Sequence, residues 1–447
     1  MAYIISVLCL LVAFIGVLRN RYFFNPITFM FAIWGIIVPI SVQGFYGMKS
    51  PSDKSLMIIS VGLIGYLLGC LIGNRRKRII IKQITRTDIN HAPIRLNYSI
   101  LYILIAIALV YFAWAGFVSL RLLLSGKSFM YIKQLAVDFE GTNELRSSVF
   151  TITVKNFIAQ PTAYLVIALL PIEIFFGKRD KKLIIASICL AFLWVLSTAG
   201  RAIIIWIALY FAAVYLYYRK KLKIERKKIR LKTKIMLVVG AVLLFGVLIY
   251  TTTLRKGSNF DIYRQMLIYF VAPIPHMDYY VKAVDSGYSD VLGLGLSSFY
   301  GFAYPFLFLI RLIRGRFPEF STLIRFLSFD MFERSISLGG TIYMNAYVTI
   351  FFQPYVDGRL LGVFLLLMLF GYWCGRLFYN SFYLDDMRSF LFYILFLQKI
   401  MDSTVRFYFT QTSQAMCFIF AFLITVNLPL IDRTKRTSSL SINMHYD

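Results

Sequence analysis

The sequence predicts an all-α, polytopic helical membrane protein with about eleven transmembrane helices and one large external loop. Three observations predict it. Of 447 residues, 59% are hydrophobic and only 15% are charged, against roughly 45–50% and 25% in soluble domains. The apolar residues fall in long runs. The basic residues cluster between alternate runs. A soluble enzyme, a fibrous protein and a disordered chain are all excluded.

The candidate spans are 2–18, 23–43, 55–73, 98–118, 152–176, 183–199, 202–218, 235–252, 360–379, 389–409 and 414–431. Each is read as a helix, which satisfies its own backbone in lipid. The first run lacks the basic start of a signal peptide, and Arg19 and Arg21 follow it. It reads as an uncleaved span with its N-terminus outside.

The loops orient the spans. Arg19 and Arg21 follow span one, Arg75–Arg78 span three, and Lys178, Arg179, Lys181 and Lys182 span five. The run Arg219–Lys234 follows span seven, and Arg433, Lys435 and Arg436 follow span eleven. With eleven spans every cluster lands on one side, the cytoplasmic one. The formal net charge of +27 is therefore a topology signal. It makes the bilayer the partner and excludes nucleic acid. The expected organisation is an N-terminal bundle of about eight spans (1–252), an external loop (253–359), a C-terminal bundle of about three (360–431) and a cytoplasmic tail (432–447).

The external loop is too long for a mere connector. Its stretch 293–312 (GLGLSSFYGFAYPFLFLIRL) reads as an interfacial or re-entrant helix, with Arg311, Arg314 and Arg316 along the headgroups. The alternative is a twelfth span, which would invert everything after it. Cys9, Cys70, Cys189, Cys374 and Cys417 all fall in apolar runs and are expected as buried free thiols without disulfides. His91, His276 and His445 lie far apart, so no histidine-based metal site is expected.

Charges at span ends mark candidate chemistry, because they are costly in lipid. Arg201 interrupts LSTAGRAIIIW and suits a guanidinium gripping phosphate; a snorkelling turn arginine is the plainer reading. Lys399, Asp402 and Arg406 share one face of span ten by their spacing. They form either a buried ion-pair stripe or, at Arg406, the lining of a polar cavity. The external loop opens with Arg255, Lys256, Asp261 and Arg264, followed by PIPHMDYY with His276, Asp278, Tyr279 and Tyr280. His276 with Asp278 nearby could serve as a general base; the plainer reading is a solvated loop histidine. Asp285, Asp290 and Glu319 read as surface charges. There is no P-loop, no dinucleotide fingerprint, no H-E-x-x-H and no G-x-S-x-G. No D-x-D is present to hold a nucleotide sugar through a metal. A lipid-linked substrate fits better than a nucleotide.

Two segments carry a family resemblance. Ala199-Gly200-Arg201 opens a long apolar span, and GGTIYMNAYVTIFFQPYVDGRLLG precedes span nine. Both resemble the bacterial oligosaccharide repeat-unit polymerases, the Wzy class of O-antigen and capsule polymerases. The family pattern is Asn-x-Tyr-Thr-like, then Pro, then Asp-Phe-Gly-x-x-Gly. Asn345, Tyr347, Thr349, Pro354, Asp357 and Gly362 match it, and Gly358 and Arg359 depart where Phe and Gly are usual.

The resemblance implies a GT-C-like architecture in a bacterial cytoplasmic membrane. It implies an enzyme that transfers a growing glycan from undecaprenyl diphosphate to a sugar hydroxyl of a new lipid-linked unit. The diphosphate bond supplies the energy, so no cofactor and no metal is expected. A chain-length regulator and a flippase are the implied protein partners. Arg201 and Arg255, with Arg264 or Arg406, are the expected grip on the diphosphate. His276, Asp278 or Asp357 would serve the acceptor hydroxyl. Tyr279, Asn345, Tyr347, Thr349 and Gln353 would hold glycan. The competing readings are a lipid-linked oligosaccharide flippase and a polysaccharide ligase of the same fold.

Overall fold

The computed structural model describes residues 1–74, 96–137, 143–145, 148–198, 200, 202–224, 246, 261–332, 334–345 and 347–425. The expected span 235–252, Gly246 apart, lies outside the described residues, as do the clusters at 75–78 and 433–436. The chain is an all-α membrane protein. Among the described residues the strands are two-residue pieces, β1 (Ile336–Ser337) and β2 (Tyr343–Met344), paired antiparallel with Ile336 opposite Met344.

Among the described residues eight helices precede residue 225. They are α1 (Ala2–Asn20), α2 (Pro26–Ser41), α3 (Asp53–Gly73), α4 (Tyr98–Leu124), α5 (Phe129–Val137), α6 (Val149–Phe175), α7 (Lys181–Thr198) and α8 (Ala202–Ile224). Four more fill the expected external loop: α9 (Ile262–Phe270), α10 (Pro273–Gly287), α11 (Tyr300–Arg314) and α12 (Glu319–Ser328). The last three are α13 (Thr349–Tyr383), α14 (Met387–Met401) and α15 (Thr412–Thr425). Among the described residues seven are long and apolar enough to cross a membrane: α1, α3, α4, α6, α7, α8 and α13. The apolar helices α2 and α15 are shorter.

Local chemistry sets the boundaries. Asn25 accepts from the Thr28 amide at 2.9 Å and Pro26 takes the first position of α2, the two usual start signals. Ser148 and Thr151 close a capping box on α6. A π-turn at Lys155–Ala159 then offsets the rest of that helix.

The tightest helix pair is α3 with α13. Gly65, Gly69 and Gly73 leave no room for a Cβ because the backbone carbonyls of Phe364, Met368 and Tyr372 press on them. Gly371 and Gly375 face the carbonyls of Tyr66 and Cys70 in return. Small residues at this spacing let two backbones meet where lipid gives no hydrophobic drive.

Helix ends gather in two sets. In one, Lys220 Nζ donates to the Asn20 carbonyl at 3.0 Å, Tyr217 to that of Ser381 at 2.8 Å, Tyr102 to Asp180 at 2.6 Å and the Asn97 amide to Ile424 at 2.8 Å. This basic end carries Arg19, Lys178, Lys181 and Arg219. In the other, the Lys49 amide donates to Leu338 at 2.7 Å, that of Val348 to Val405 at 2.9 Å and that of Gly293 to Val356 at 3.0 Å. Helices α9 to α12 belong to this loop end.

Two expectations gain detail and two need correction. The expected external stretch 253–359 is helical through much of its described length. Span ten ends at Met401, and 402–404 and 408–410 form 3-10 turns. The Asp402 carbonyl accepts from the amides of Val405 and Arg406 at 2.9 and 3.3 Å, while that of Val405 accepts from Val348 and Thr349. This crossing pulls Arg406 off the face that Lys399 and Asp402 share. Within 293–312 the helix is α11, whose 15 residues reach about 22 Å, short of the ~30 Å hydrocarbon core. Of the five free cysteines, Cys189 is exposed and the rest are buried.

Candidate functional site

The loop end brings several predicted residues together, in roles other than those expected. Helix α10 is its keystone. Pro273 and Pro275 fall in its first turn, where the missing N–H costs nothing, and its inner face buries Ile274, His276, Met277 and Val281. His276 is therefore a helix residue, wholly buried. Its ring stands edge-on to Tyr280 at 4.9 Å. Its Nδ1 lies 2.5 Å from the Tyr347 carbonyl. Burial pushes the imidazole down to about 4. A neutral ring facing a carbonyl must carry its proton on Nδ1 and donate it.

Asp278 points the other way, toward α3. Ser52 and Ser55 donate to its Oδ1, Ser55 at 2.8 Å, and Lys282 donates to Oδ2 at 2.7 Å. Burial raises this carboxyl, and these donors outweigh that, holding it below the usual carboxylate value. His276 and Asp278 thus form no pair, and the polar atoms that would do acid–base work hold helices together. Tyr279 is half-exposed at 52%.

The segment 345–359 is stitched to its surroundings. Asn345 is exposed. Thr349 adopts a positive φ of 66°, uncommon for a β-branched residue, and its Oγ1 donates to Met277 Sδ at 3.0 Å. Thr349 bridges the backbone of Arg406, which is half-buried. Gln353 Oε1 accepts from the Phe407 amide at 3.3 Å. Asp357 accepts from the amides of Ser297 and Ser298, one on each oxygen, both at 2.8 Å. Directly after it α13 breaks, with Arg359 at φ 54°, ψ −141°. The Arg359 guanidinium donates to the carbonyls of Tyr288, Ser289 and Val291 at 2.6, 2.9 and 3.2 Å.

Behind this layer lies a polar cluster in the helix bundle. Lys399, Asp402, Gln398 and Gln414 are all buried. Trp206 Nε1 and Gln398 Nε2 each donate to Asp402 at 3.1 Å. Tyr210 donates to Gln398 at 2.8 Å, and Lys399 donates to Gln398 and Gln414. The ammonium also sits over the rings of Tyr164 and Tyr408, 5.7 and 5.4 Å from their centres. Trp206, Gln398 and Gln414 were not among the predicted residues. Their signal was a polar atom inside an otherwise apolar run.

A groove of about 1060 Å³ runs between α2, α8 and α9. Its walls include Phe29, Ile37, Leu209, Met266 and Phe270, and Met401 lies at its lining beside the Asp402 turn. Tyr46 and Tyr263 also line it. Tyr46 donates to Asp261 at 2.6 Å. That hydroxyl, with the Arg264 amide, holds the Asp261 carboxyl below its usual value. Arg264 Nη2 donates to the Thr341 carbonyl at 2.6 Å. Tyr263 and Tyr343 are 75% and 62% exposed. The groove thus has an apolar body with Tyr46 and Tyr263 in its lining, and Tyr46 joins that lining to the ionised Asp261 and to Arg264 one turn on.

Arg201 and Arg255 lie outside the described residues. Among the described residues no group of three His, Cys, Asp or Glu side chains could hold a metal ion. Comparison with known proteins finds no matching family, no matching characterised protein and no matching solved structure.

Proposed function

We propose that the chain is a membrane glycosyltransferase that polymerises oligosaccharide repeat units carried on undecaprenyl diphosphate. In this reading it works at the outer face of a bacterial cytoplasmic membrane. The basic end faces the cytoplasm and the loop end faces outward. The reading rests on the resemblance at 345–362. The observation that carries it is the conformation of the Asp-x-x-x-x-Gly stretch. The family pattern has Gly at position 359, where this backbone takes φ 54°, a region that glycine enters without steric cost. It has Gly again at 362, where a Cβ would press on the Pro354 carbonyl. The pattern thus has a physical reason at both positions.

The groove suits the isoprenoid chain, being apolar and open. Transfer needs the acceptor sugar's hydroxyl oxygen to bond the donor's anomeric carbon while the bond from that carbon to the diphosphate breaks. Cations must take the charge that develops on the leaving diphosphate. Arg264 stands one turn beyond Asp261 for this, with Arg201 and Arg255 as the sequence's other candidates. The acceptor's proton needs an acceptor oxygen. Asp261 is the half-buried, ionised carboxylate bonded to Tyr46 of the groove and takes the role in place of His276, Asp278 and Asp357. Tyr46 and Tyr263 offer faces on which sugars stack.

The test is deletion of the gene, with rescue by wild type, Asp261→Asn and Arg264→Gln, and the surface glycan run on a gel. The expected outcome is a ladder collapsed to a single repeat unit, restored by wild type and by neither variant. Loss of even the single unit, with lipid-linked units accumulating inside, would identify a flippase. An intact ladder that never reaches its final acceptor would identify a ligase.

A further inference from the structure

Helix α11 carries a surface that the proposed reaction does not use. Phe306, Leu309 and Ile313 fall at i, i+3 and i+7, which draws one stripe along a helix. Phe306, Leu309 and Ile313 are 69%, 56% and 85% exposed. The other side is fixed to the bundle: Tyr304 and Phe308 pack on Phe157 of α6, with ring centres 5.8 and 5.9 Å apart. At the helix start, Gly301 lies against the backbone of Phe409 and Gln411. The helix is therefore held against the loop end of α6 and α15, with its apolar stripe facing away.

Cations border the stripe. Arg311 and Arg314 occupy the last turn, Gly315 ends the helix at φ 73°, and Arg316 follows. All three arginines are exposed. Arg311 folds over the Phe317 ring at 5.1 Å. Arg314 and Arg316 have no ion pair or hydrogen bond among the described residues. The acids close by in sequence are Glu319 and Asp330, and Asp330 already pairs with Arg325 at 3.5 Å.

We infer that α11 is an in-plane docking surface for anionic phospholipids of the surrounding bilayer. Their acyl chains cover Phe306, Leu309 and Ile313, and their phosphates meet Arg311, Arg314 and Arg316. An apolar face bordered by arginines has this preference because it gains from acyl burial and from headgroup charge at once. Guanidinium forks also match phosphate oxygens. A second copy of the chain fits worse: the acids near this helix offer little to three arginines, since Asp330 is already paired with Arg325.

The test uses the full chain in nanodiscs of phosphatidylcholine alone, or with a third phosphatidylglycerol, and no isoprenoid lipid. The outcome is thus independent of the proposed reaction. Native mass spectrometry counts retained phospholipid and thermal unfolding gives the midpoint. Wild type is expected to retain phosphatidylglycerol over phosphatidylcholine and to melt higher in the mixed discs. The triple variant Arg311→Gln, Arg314→Gln, Arg316→Gln is expected to lose ~3-fold or more of that retention, with an unchanged midpoint in phosphatidylcholine. The corresponding triple Lys variant keeps most of it. Should the triple Gln variant fail to fold, Arg314→Gln alone carries the same comparison. Equal retention by wild type and the Gln variant overturns the inference, as does a dimer in the mass spectrum that Ile313→Gln dissolves.

Discussion

Two helices break at the same end of the bundle, and they manage it differently. Helix α13 breaks at Gly358–Arg359 next to α9–α12, and its partners are backbone: Asp357 takes two amides and Arg359 three carbonyls. Helix α14 ends at Met401 inside the bundle, where Val405 pairs with the amides of Val348 and Thr349 and side chains serve the charges: Trp206, Gln398 and Gln414 surround Asp402 and Lys399. A break at the edge can borrow its hydrogen bonds from a loop. One inside the bundle must recruit them from neighbouring helices, and its charges must neutralise each other. The first break ties the outer layer to the membrane helices. The second ties α8, α14 and α15 together.

The largest expected effect tests the interior break. Lys399→Met or Asp402→Leu alone leaves one buried charge unpaired and should cost about 3–5 kcal/mol. The double variant removes both charges and should cost much less. Thermal unfolding in detergent measures this. If the double variant is as damaged as either single one, the pair is not the unit that holds the helices.

A somewhat smaller effect belongs to the outer layer and depends on pH. His276 falls from its ordinary 6.5 to about 4 in the fold, so the unfolded chain takes up the proton first. Its stabilisation is therefore complete above pH 6.5 and is lost as the pH drops toward 4. The loss should be roughly 3 kcal/mol. His276→Gln should flatten that part of the stability–pH curve. A slope between pH 6.5 and 4 unchanged in the variant would mean that the ring is not held neutral between Tyr347 and Tyr280.

The same contrast explains what could be read in the sequence. The long helices were legible because membrane burial imposes one requirement, sustained apolarity, that each run meets by itself. The end of α14 was not. Lys399, Asp402 and Arg406 recur at three and four, and only the pairing of Val405 with Val348 and Thr349, distant in sequence, ends the helix. PIPHMDYY reads as part of the external loop, yet its prolines sit in the first turn of α10, where they are tolerated. Asp357 was legible as a motif residue. Its partners Ser297 and Ser298 were not, since no local pattern joins residues sixty apart. Asp261 and Arg264 were legible as neighbours, whereas their link to Tyr46 is a product of tertiary contact alone.

The smallest effect sharpens the comparison most. Arg359 holds a left-handed backbone that costs a side-chain-bearing residue about 1–2 kcal/mol, and it repays this through three hydrogen bonds to 288–291. Arg359→Gly removes the strain and the hydrogen bonds together, so overall stability should move by no more than ~1 kcal/mol. The local consequence should be distinct. The amides of Gly293 and Leu294, bonded to the carbonyls of Val356 and Asp357 at 3.0 Å, should exchange hydrogen faster, while amides of α3 and of the rest of α13 stay protected. Asp357→Asn should extend that exchange to Ser297 and Ser298, because an amide side chain supplies one acceptor oxygen where the carboxylate supplies two. If Arg359→Gly instead melts the whole protein as far as Lys399→Met does, the break at the edge is no local fastening. The outer layer would then belong to the same cooperative unit as the interior.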